Sequence, residues 1–146
     1  MPFPSRADYE ALIYGLAEKY PGDIVVSTVR LYGTSALTAR VVGTVQFANG
    51  LQLHVAEYLD FVVGQIRDYS YTVYQGDAKI RWYDPQPHPD APNLASTFPH
   101  HLHEPPDIKH NRKPAPGITF QSPNLPTLIA DCIALGKTLP HQETGD

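Results

Sequence analysis

The sequence is poor in cysteine and in long apolar runs, and neither sign of charge is in large excess. The 146 residues include one cysteine, Cys132, which excludes an internal disulfide and a cysteine-rich zinc site. The formal net charge is −4, and no stretch has the density of lysine and arginine that marks an obvious nucleic-acid binder. No segment approaches the roughly 18 apolar residues that a membrane span needs. These absences predict a folded, soluble protein.

The N-terminal stretch MPFPSRADYE carries acidic residues and lacks the apolar run of a signal peptide, so the cytoplasm is the expected location. The length fits one domain, residues 1–146, with a substantial core. Apolar residues make up 42% of the chain and charged residues 18%, which is typical of a globular protein. Cys132 lies in the apolar, helical context LIADCIAL, which favours a small core residue over a nucleophile.

Proline is abundant and unevenly placed. Of the 15 prolines, 11 fall between Pro85 and Pro126. Proline lacks a backbone N–H and resists helix interiors and central strands. The chain is therefore predicted to divide into a helix and sheet at 1–84, a loop rich in proline and histidine at 85–123, and a helix at 124–139.

The first 84 residues carry the signals of one helix and five strands. Ser5 is expected to cap a helix that Pro21 and Gly22 end. The five strand predictions are DIVVSTVRLY, ARVVGTVQF, LQLHVAEYLDF, RDYSYTVYQ and AKIRWYD. Short links such as Ala48-Asn49-Gly50 favour antiparallel pairing. The expected fold is α+β: a five-stranded antiparallel meander with the N-terminal and C-terminal helices packed on one face.

Glu57 breaks the alternation of its strand. It lies in phase with Val55 and Leu59, on the apolar side. A buried carboxylate must be paired, hydrogen-bonded or protonated. Three interpretations stay open: a bend or bulge turns the side chain outward, Arg67 pairs with it, or it is a functional carboxylate.

Residues 83–117, YDPQPHPDAPNLASTFPHHLHEPPDIKHNRKPAPG, are expected to have little regular structure. Long loops of this kind in compact domains are often functional. The loop holds five of the seven histidines. They are His88, His100, His101, His103 and His110.

A metal site is one hypothesis for these histidines. In extended backbone His101 and His103 point to the same side, so both imidazoles could meet one divalent ion. His88, Asp84 or Glu57 would complete the site. The signal is weak because no HExxH or CxxC spacing is present. No cofactor is otherwise expected.

Acid–base chemistry is a second hypothesis. Histidine titrates near neutrality, so two histidines can act as base and acid in phosphodiester cleavage. Such a site needs a cation to hold the phosphate, and Arg81, Lys109, Arg112 and Lys113 are available. For any single histidine, such as His100 or His110, simple exposure to solvent is the plainer interpretation.

The segment IRDYSYTVYQGDAKIRWYDPQPHPDAPNLASTFPHHLH resembles the TumE-like family of small bacterial proteins. The matching elements are tyrosine-rich strands, an arginine-tyrosine-aspartate step at Arg81, Tyr83 and Asp84, a proline-histidine segment around His88, and the run from Thr97 to His103. The resemblance covers most of residues 40–135. It implies a toxin of a bacterial toxin–antitoxin pair, whose antitoxin is a separate helix-turn-helix protein. It does not identify an active site.

Three positions depart from the family pattern. Trp82 stands between Arg81 and Tyr83, His88 stands alone where a pair of histidines is common, and Leu102 occupies a position usually held by lysine or arginine. If that missing cation contacts phosphate in relatives, the cluster at 109–113 is the candidate replacement.

The sequence thus predicts a toxin whose His101 and His103, supported by His88, Asp84 and Arg81, form a polar site that acts on RNA or another phosphate-containing substrate. A ribonuclease-like phosphodiesterase is the enzymatic version of this hypothesis. A non-catalytic protein-binding domain and a histidine-ligated metal-binding protein are the alternatives. The expected partner is a cognate antitoxin protein.

Overall fold

The computed structural model of the chain describes residues 2–139, so the predicted domain of 1–146 extends beyond the described part at both ends. The helices are α1 (Arg6–Tyr14), α2 (Leu16–Lys19) and α3 (Leu125–Thr138), with a 3-10 helix at Pro92–Thr97. The strands are β1 (Ile24–Ser27), β2 (Arg30–Gly33), β3 (Thr38–Phe47), β4 (Leu51–Asp60), β5 (Gln65–Gln75), β6 (Ala78–Asp84), β7 (His101–His103) and β8 (Arg112–Pro114).

The strands form one antiparallel sheet in the order β1-β3-β4-β5-β6-β7-β8, and β2 also pairs with β3. The α+β class and the antiparallel pairing agree with the sequence prediction. The predicted number of five strands is wrong, because the described residues contain eight.

One extra strand arises because the first predicted strand is interrupted. Thr28 and Val29 separate β1 from β2, and both short strands lie along β3. A Cβ placed on Gly43 in β3 would lie 2.5 Å from Val29 Cα. Only glycine permits the chain to cross so closely at this point.

The other two extra strands lie inside the predicted loop. β7 pairs with β6, and β8 pairs with β7. Each is only three residues long and lies among prolines. The sequence pattern therefore did not indicate either strand. Pro114 is tolerated because β8 is the last strand of the sheet and its outer edge needs no backbone donor.

The N-terminal and C-terminal helices pack against the same face of the sheet. Ser5 Oγ accepts a hydrogen bond from the N–H of Asp8, as the predicted cap requires. Tyr9 of α1 reaches Glu57 on β4, while Asn124, the N-cap of α3, reaches Tyr71 on β5. The predicted first helix is two helices, since the chain breaks at Gly15.

Alternation along the central strands separates two polar sets. Glu57, Tyr71 and Tyr83 point to the helix-covered face, which we call the inner face. Trp82 and Asp84 alternate with Tyr83 and therefore point to the opposite, outer face. The sheet thus carries one buried cluster beneath the helices and another beneath the proline-rich segment.

Candidate functional site

Asp84, His101 and His103 come together on the outer face. The antiparallel register pairs Asp84 with His101 and Trp82 with His103 across β6 and β7. Because side chains alternate with a period of two, these four point to the same side of the sheet. The sequence predicted that His101 and His103 would share a side, and the register with β6 adds Asp84.

The three side chains are in direct contact and almost entirely buried. His103 Nε2 lies 2.8 Å from Asp84 Oδ2, and His101 Nε2 lies 3.2 Å from Asp84 Oδ1. The two Nε2 atoms are 3.1 Å apart. His101 is 1% exposed and His103 is 3% exposed, so solvent does not separate these groups.

Backbone groups hold each side chain in place. His101 Nδ1 donates to the carbonyl of Pro99, and His103 Nδ1 donates to the carbonyl of Lys109, each over 3.1 Å. The N–H of Gln86 donates to Asp84 Oδ1 over 2.8 Å. These contacts aim both Nε2 atoms and the carboxylate at a common point. Among residues 2–139, Asp84, His101 and His103 form the histidine and carboxylate group that could hold a metal ion.

The centre opens into a pocket of about 370 Å³ whose walls include Asp84, His88 and His103. The His88 ring lies 5.0 Å from that of His101, edge to face. Desolvation, with the positive charge of Arg112 and the neighbouring His101, lowers the pKa of His88, which favours its neutral form. A neutral imidazole can accept a proton.

Three cations line the same pocket. They are Lys79, Lys109 and Arg112. Arg112 pairs with His103 in the register of β7 and β8, so both side chains leave the sheet on the same face. Its Nε is buried and has no hydrogen-bond partner among the described residues. This cluster gives an acidic protein a local basic site.

A second groove of about 470 Å³ adjoins the pocket. Trp82, Asp84 and Gln86 line both, so they form the ridge between them. The Trp82 ring is stacked on His103 with centroids 4.4 Å apart. Arg67 also lines this groove. The outer face therefore offers an extended surface on either side of the buried centre.

Arg81 does not join this centre. It lies on the other side of β6, where its guanidinium contacts Glu104 at 2.8 Å and the hydroxyl of Tyr83 at 3.4 Å. Strand alternation explains the placement, since Arg81 is one residue from Trp82 and three from Asp84. The prediction that Arg81 shares a site with His101 and His103 is therefore wrong.

Glu57 is also remote from the histidines, since it is buried on the inner face. Tyr9 donates to its Oε1 over 2.6 Å, and Tyr71 donates to its Oε2. Burial raises the pKa of Glu57, and the two phenols partly offset this. The bulge lies beyond it, between Tyr58 and Leu59 in the pairing of β4 with β5, so Glu57 is not turned outward.

Arg67 is not the partner of Glu57, contrary to one of the three interpretations. Its Nε lies 3.5 Å from Asp60 Oδ2. The two tyrosines take the place that an arginine would have filled. Nothing in the alternation of β4 indicated them, because Tyr9 comes from a helix 48 residues earlier.

The other residues named from the sequence lie in the core or at the surface. His100 is 8% exposed and contacts the Tyr69 hydroxyl at 2.6 Å, so the expectation of an exposed His100 is wrong. His110 is exposed and lies 3.0 Å from Asp107. Cys132 is a buried core residue, and burial raises the pKa of its thiol to about 12, which keeps it protonated.

Sequence reasoning missed Lys79 and Trp82 as parts of the site. Both lie on β6, and Trp82 was noticed only as a departure from a pattern. Alternation along β6 places it on the same side as Asp84, but its contact with His103 could be predicted only once β7 was known to pair with β6. Lys109 and Arg112 were recognised as available cations.

The chain is thus an α+β protein that has helices on one face of its sheet and a buried histidine–carboxylate centre on the other. A family model described as Toxin TumE matches residues 15–135, well over half of the chain. The chain therefore belongs to the Toxin TumE family, as its sequence resemblance implied. No curated protein and no solved structure matches it. Within residues 2–139, no helix is long and apolar enough to cross a membrane.

Proposed function

We propose that this member of a toxin family acts on the phosphodiester backbone of RNA through the centre formed by Asp84, His101 and His103. One observation carries the proposal: this buried centre opens into a pocket whose walls also carry Lys79, Lys109 and Arg112. Lysine and arginine side chains are the groups that hold nucleic-acid phosphates. A single-stranded substrate could follow the two grooves on either side of Trp82, whose ring offers a surface for base stacking.

The geometry supports some catalytic roles better than others. In-line displacement at phosphorus sets the attacking and leaving oxygens on opposite sides of the phosphate. His101 and His103, with Nε2 atoms 3.1 Å apart, reach the same side, which disfavours a relay between them as base and acid. His88 borders the pocket beside the cations and is the better candidate to accept the proton of an attacking hydroxyl. Arg112 would neutralise charge on the phosphate.

The alternative of a non-catalytic protein-binding domain loses part of its basis. The tyrosine-rich strands would be a natural docking surface for a partner, but Tyr69, Tyr71 and Tyr83 are each 4% exposed or less. The proposed partners are RNA and a separate antitoxin protein, and the proposed location is the cytoplasm, where both would be met.

The test is RNA cleavage by the purified chain. Wild-type protein is incubated with total bacterial RNA and with a defined single-stranded transcript, and fragments are mapped by primer extension. We expect wild-type and His54→Ala protein to cleave, since His54 is an exposed residue of β4. The double variant His101→Ala/His103→Ala should not cleave while remaining folded. Equal cleavage by the double variant, or none by the wild type, would contradict the proposal.

A further inference from the structure

We propose that Asp84, His101 and His103 bind one divalent ion of a first-row transition metal per chain. The role of that ion in RNA chemistry rests on the proposed function, but binding itself is measured without RNA. Either proposal can therefore fail alone. The hydrogen bonds of the two imidazoles and the spacing of the donor atoms support such binding.

The first step concerns which ring nitrogen carries the proton. A backbone carbonyl oxygen only accepts hydrogen bonds, so His101 Nδ1 and His103 Nδ1, each 3.1 Å from one, must both carry hydrogen. In a neutral imidazole this leaves Nε2 with an exposed lone pair. Histidine ligands of metals commonly have their other nitrogen held by a carbonyl or carboxylate in this way.

The second step concerns what the lone pairs face. Two Nε2 atoms and both oxygens of Asp84 converge within 3.2 Å of one another in the contacts described, and none of these atoms is a donor when the rings are neutral. Electron-rich atoms at such distances repel unless a positive charge lies among them. A divalent ion at this point would accept lone pairs from both Nε2 atoms and from the carboxylate at once. One cation satisfies all three side chains.

The distances between the donor atoms also suit a metal ion. Metal–ligand bonds of about 2.1 Å that meet at angles of about 90–110° place donor atoms about 3.0–3.4 Å apart. The contact between the two Nε2 atoms measures 3.1 Å, and those to the two oxygens of Asp84 measure 2.8 and 3.2 Å. The donors therefore need only small movements to hold an ion, and the register of β6 with β7 fixes their spacing.

The ligand chemistry selects the class of ion. Two imidazoles with one carboxylate suit Mn²⁺, Fe²⁺, Co²⁺, Ni²⁺ or Zn²⁺ rather than Mg²⁺ or Ca²⁺, which prefer oxygen ligands. Three protein ligands on one side leave coordination positions free toward the pocket that Asp84 and His103 line. Sites that act on substrates keep such an open position. Asp84, rather than His88, is the third ligand in this proposal.

The experiment uses the full chain treated with a chelator and then dialysed. Mn²⁺, Co²⁺, Ni²⁺ and Zn²⁺ are each added, and binding is followed by calorimetric titration, by thermal denaturation and by elemental analysis after gel filtration. We expect about one ion per chain for at least one metal and a rise in Tm of about 5–10 °C at 100-fold excess over Kd. Bound Co²⁺ should also give a visible absorption spectrum.

Matched variants locate the site. His103→Ala and the near-isosteric Asp84→Asn should each weaken binding at least 100-fold, while His54→Ala should bind like the wild type. Asp84→Asn keeps the test decisive if loss of an imidazole impairs folding. The proposal is overturned if no metal binds stoichiometrically, whether or not the chain cleaves RNA. It is equally overturned if a folded Asp84→Asn variant binds metal with wild-type affinity.

Discussion

Glu57 and Asp84 are both buried carboxylates of the same sheet, yet they lie on opposite faces and have opposite surroundings. Glu57 receives O–H hydrogen bonds from Tyr9 and Tyr71 beneath the helices. Asp84 faces two imidazole nitrogens and borders a pocket. The first carboxylate has a phenolic donor for each oxygen. The second shares its surroundings with cations and an opening.

The difference separates a polar group that joins elements of the fold from one for which we propose a chemical role. The Glu57 network joins α1, β4, β5 and the start of α3, because Asn124 donates to the hydroxyl of Tyr71. Fully satisfied networks of this kind specify one packing arrangement. The Asp84 centre is built on two strands. It brings the lone pairs of two imidazole nitrogens close to those of a carboxylate, and such groups repel one another in the absence of a cation. Burial alone therefore does not distinguish a structural carboxylate from a functional one. The hydrogen-bond donors around each carboxylate are more informative.

The largest expected effect separates the two carboxylates by activity. Asp84→Asn should lower the rate of RNA cleavage by about 10²–10⁴-fold, the usual scale for loss of a group in the reacting centre. Glu57→Gln should change the rate per folded molecule by less than about threefold, since Glu57 lies on the other face. Single-turnover kinetics, corrected for the folded fraction, measures both. Similar losses in the two variants would remove the distinction.

Stability should respond in the reverse order. Glu57→Ala leaves two buried phenols without their acceptor and should lower the free energy of unfolding by about 3–5 kcal/mol. Tyr71→Phe removes one donor to Glu57 and the acceptor for Asn124, and should cost about 1–3 kcal/mol. Urea denaturation monitored by circular dichroism measures both values. A loss for Glu57→Ala below that for Asp84→Asn in metal-free protein would contradict the structural role.

The pH dependence of stability tests whether Glu57 is buried as described. The pKa of Glu57 is raised above its ordinary value of 4.5 by burial, so the folded chain retains this proton where the unfolded chain loses it. Its contribution is complete below pH 4.5 and is lost as the pH rises through the higher folded pKa. Wild-type protein should therefore lose stability relative to Glu57→Gln as the pH rises above 4.5. Parallel denaturation curves for both proteins across this range would contradict the shift.

A smaller effect is expected at the basic wall of the Asp84 pocket. Arg112→Ala should weaken RNA binding by about 3- to 10-fold and reduce the slope of log Kd against log salt by about 1, because one phosphate contact is lost. Arg30→Ala, on β2 at the opposite end of the sheet, is the control. Fluorescence anisotropy at several salt concentrations measures the slope. An unchanged slope in Arg112→Ala would place the phosphates elsewhere.

The smallest effect concerns Arg67. Its side chain is 52% exposed and contacts Asp60, not Glu57. An ion pair of 3.5 Å whose arginine is half exposed to solvent contributes little, so Arg67→Ala should lower the free energy of unfolding by no more than about 1 kcal/mol. Thermal denaturation at moderate salt checks this. A loss of several kcal/mol would mean that Arg67 compensates the buried Glu57 after all.

Much of the fold followed from local sequence patterns. The alternation of β4, the hairpin at Ala48-Asn49-Gly50 and the cap at Ser5 are properties of neighbouring residues, and the structure contains them. The break between β1 and β2 could not be predicted, since it depends on the close approach of Val29 to Gly43. The short strands β7 and β8 are stabilised by pairing with a longer neighbour rather than by their own sequence.

The candidate site was predictable only in part, for the same reason. His101, His103 and Asp84 were named from residue type and spacing, and their convergence depends on a strand pairing that no local signal gives. Arg81 was named as a cation that could hold phosphate and as part of the arginine-tyrosine-aspartate step, but alternation turns it to the other face. Glu57 was recognised as unusual, whereas its phenolic donors required the placement of a distant helix.

Growth after induced expression in bacteria tests most directly whether the Asp84 centre makes this chain toxic. Wild-type, His54→Ala and His101→Ala/His103→Ala chains are compared at matched soluble amounts. We predict that the first two arrest growth and that the double variant does not. Arrest by the double variant at the wild-type level would contradict the account.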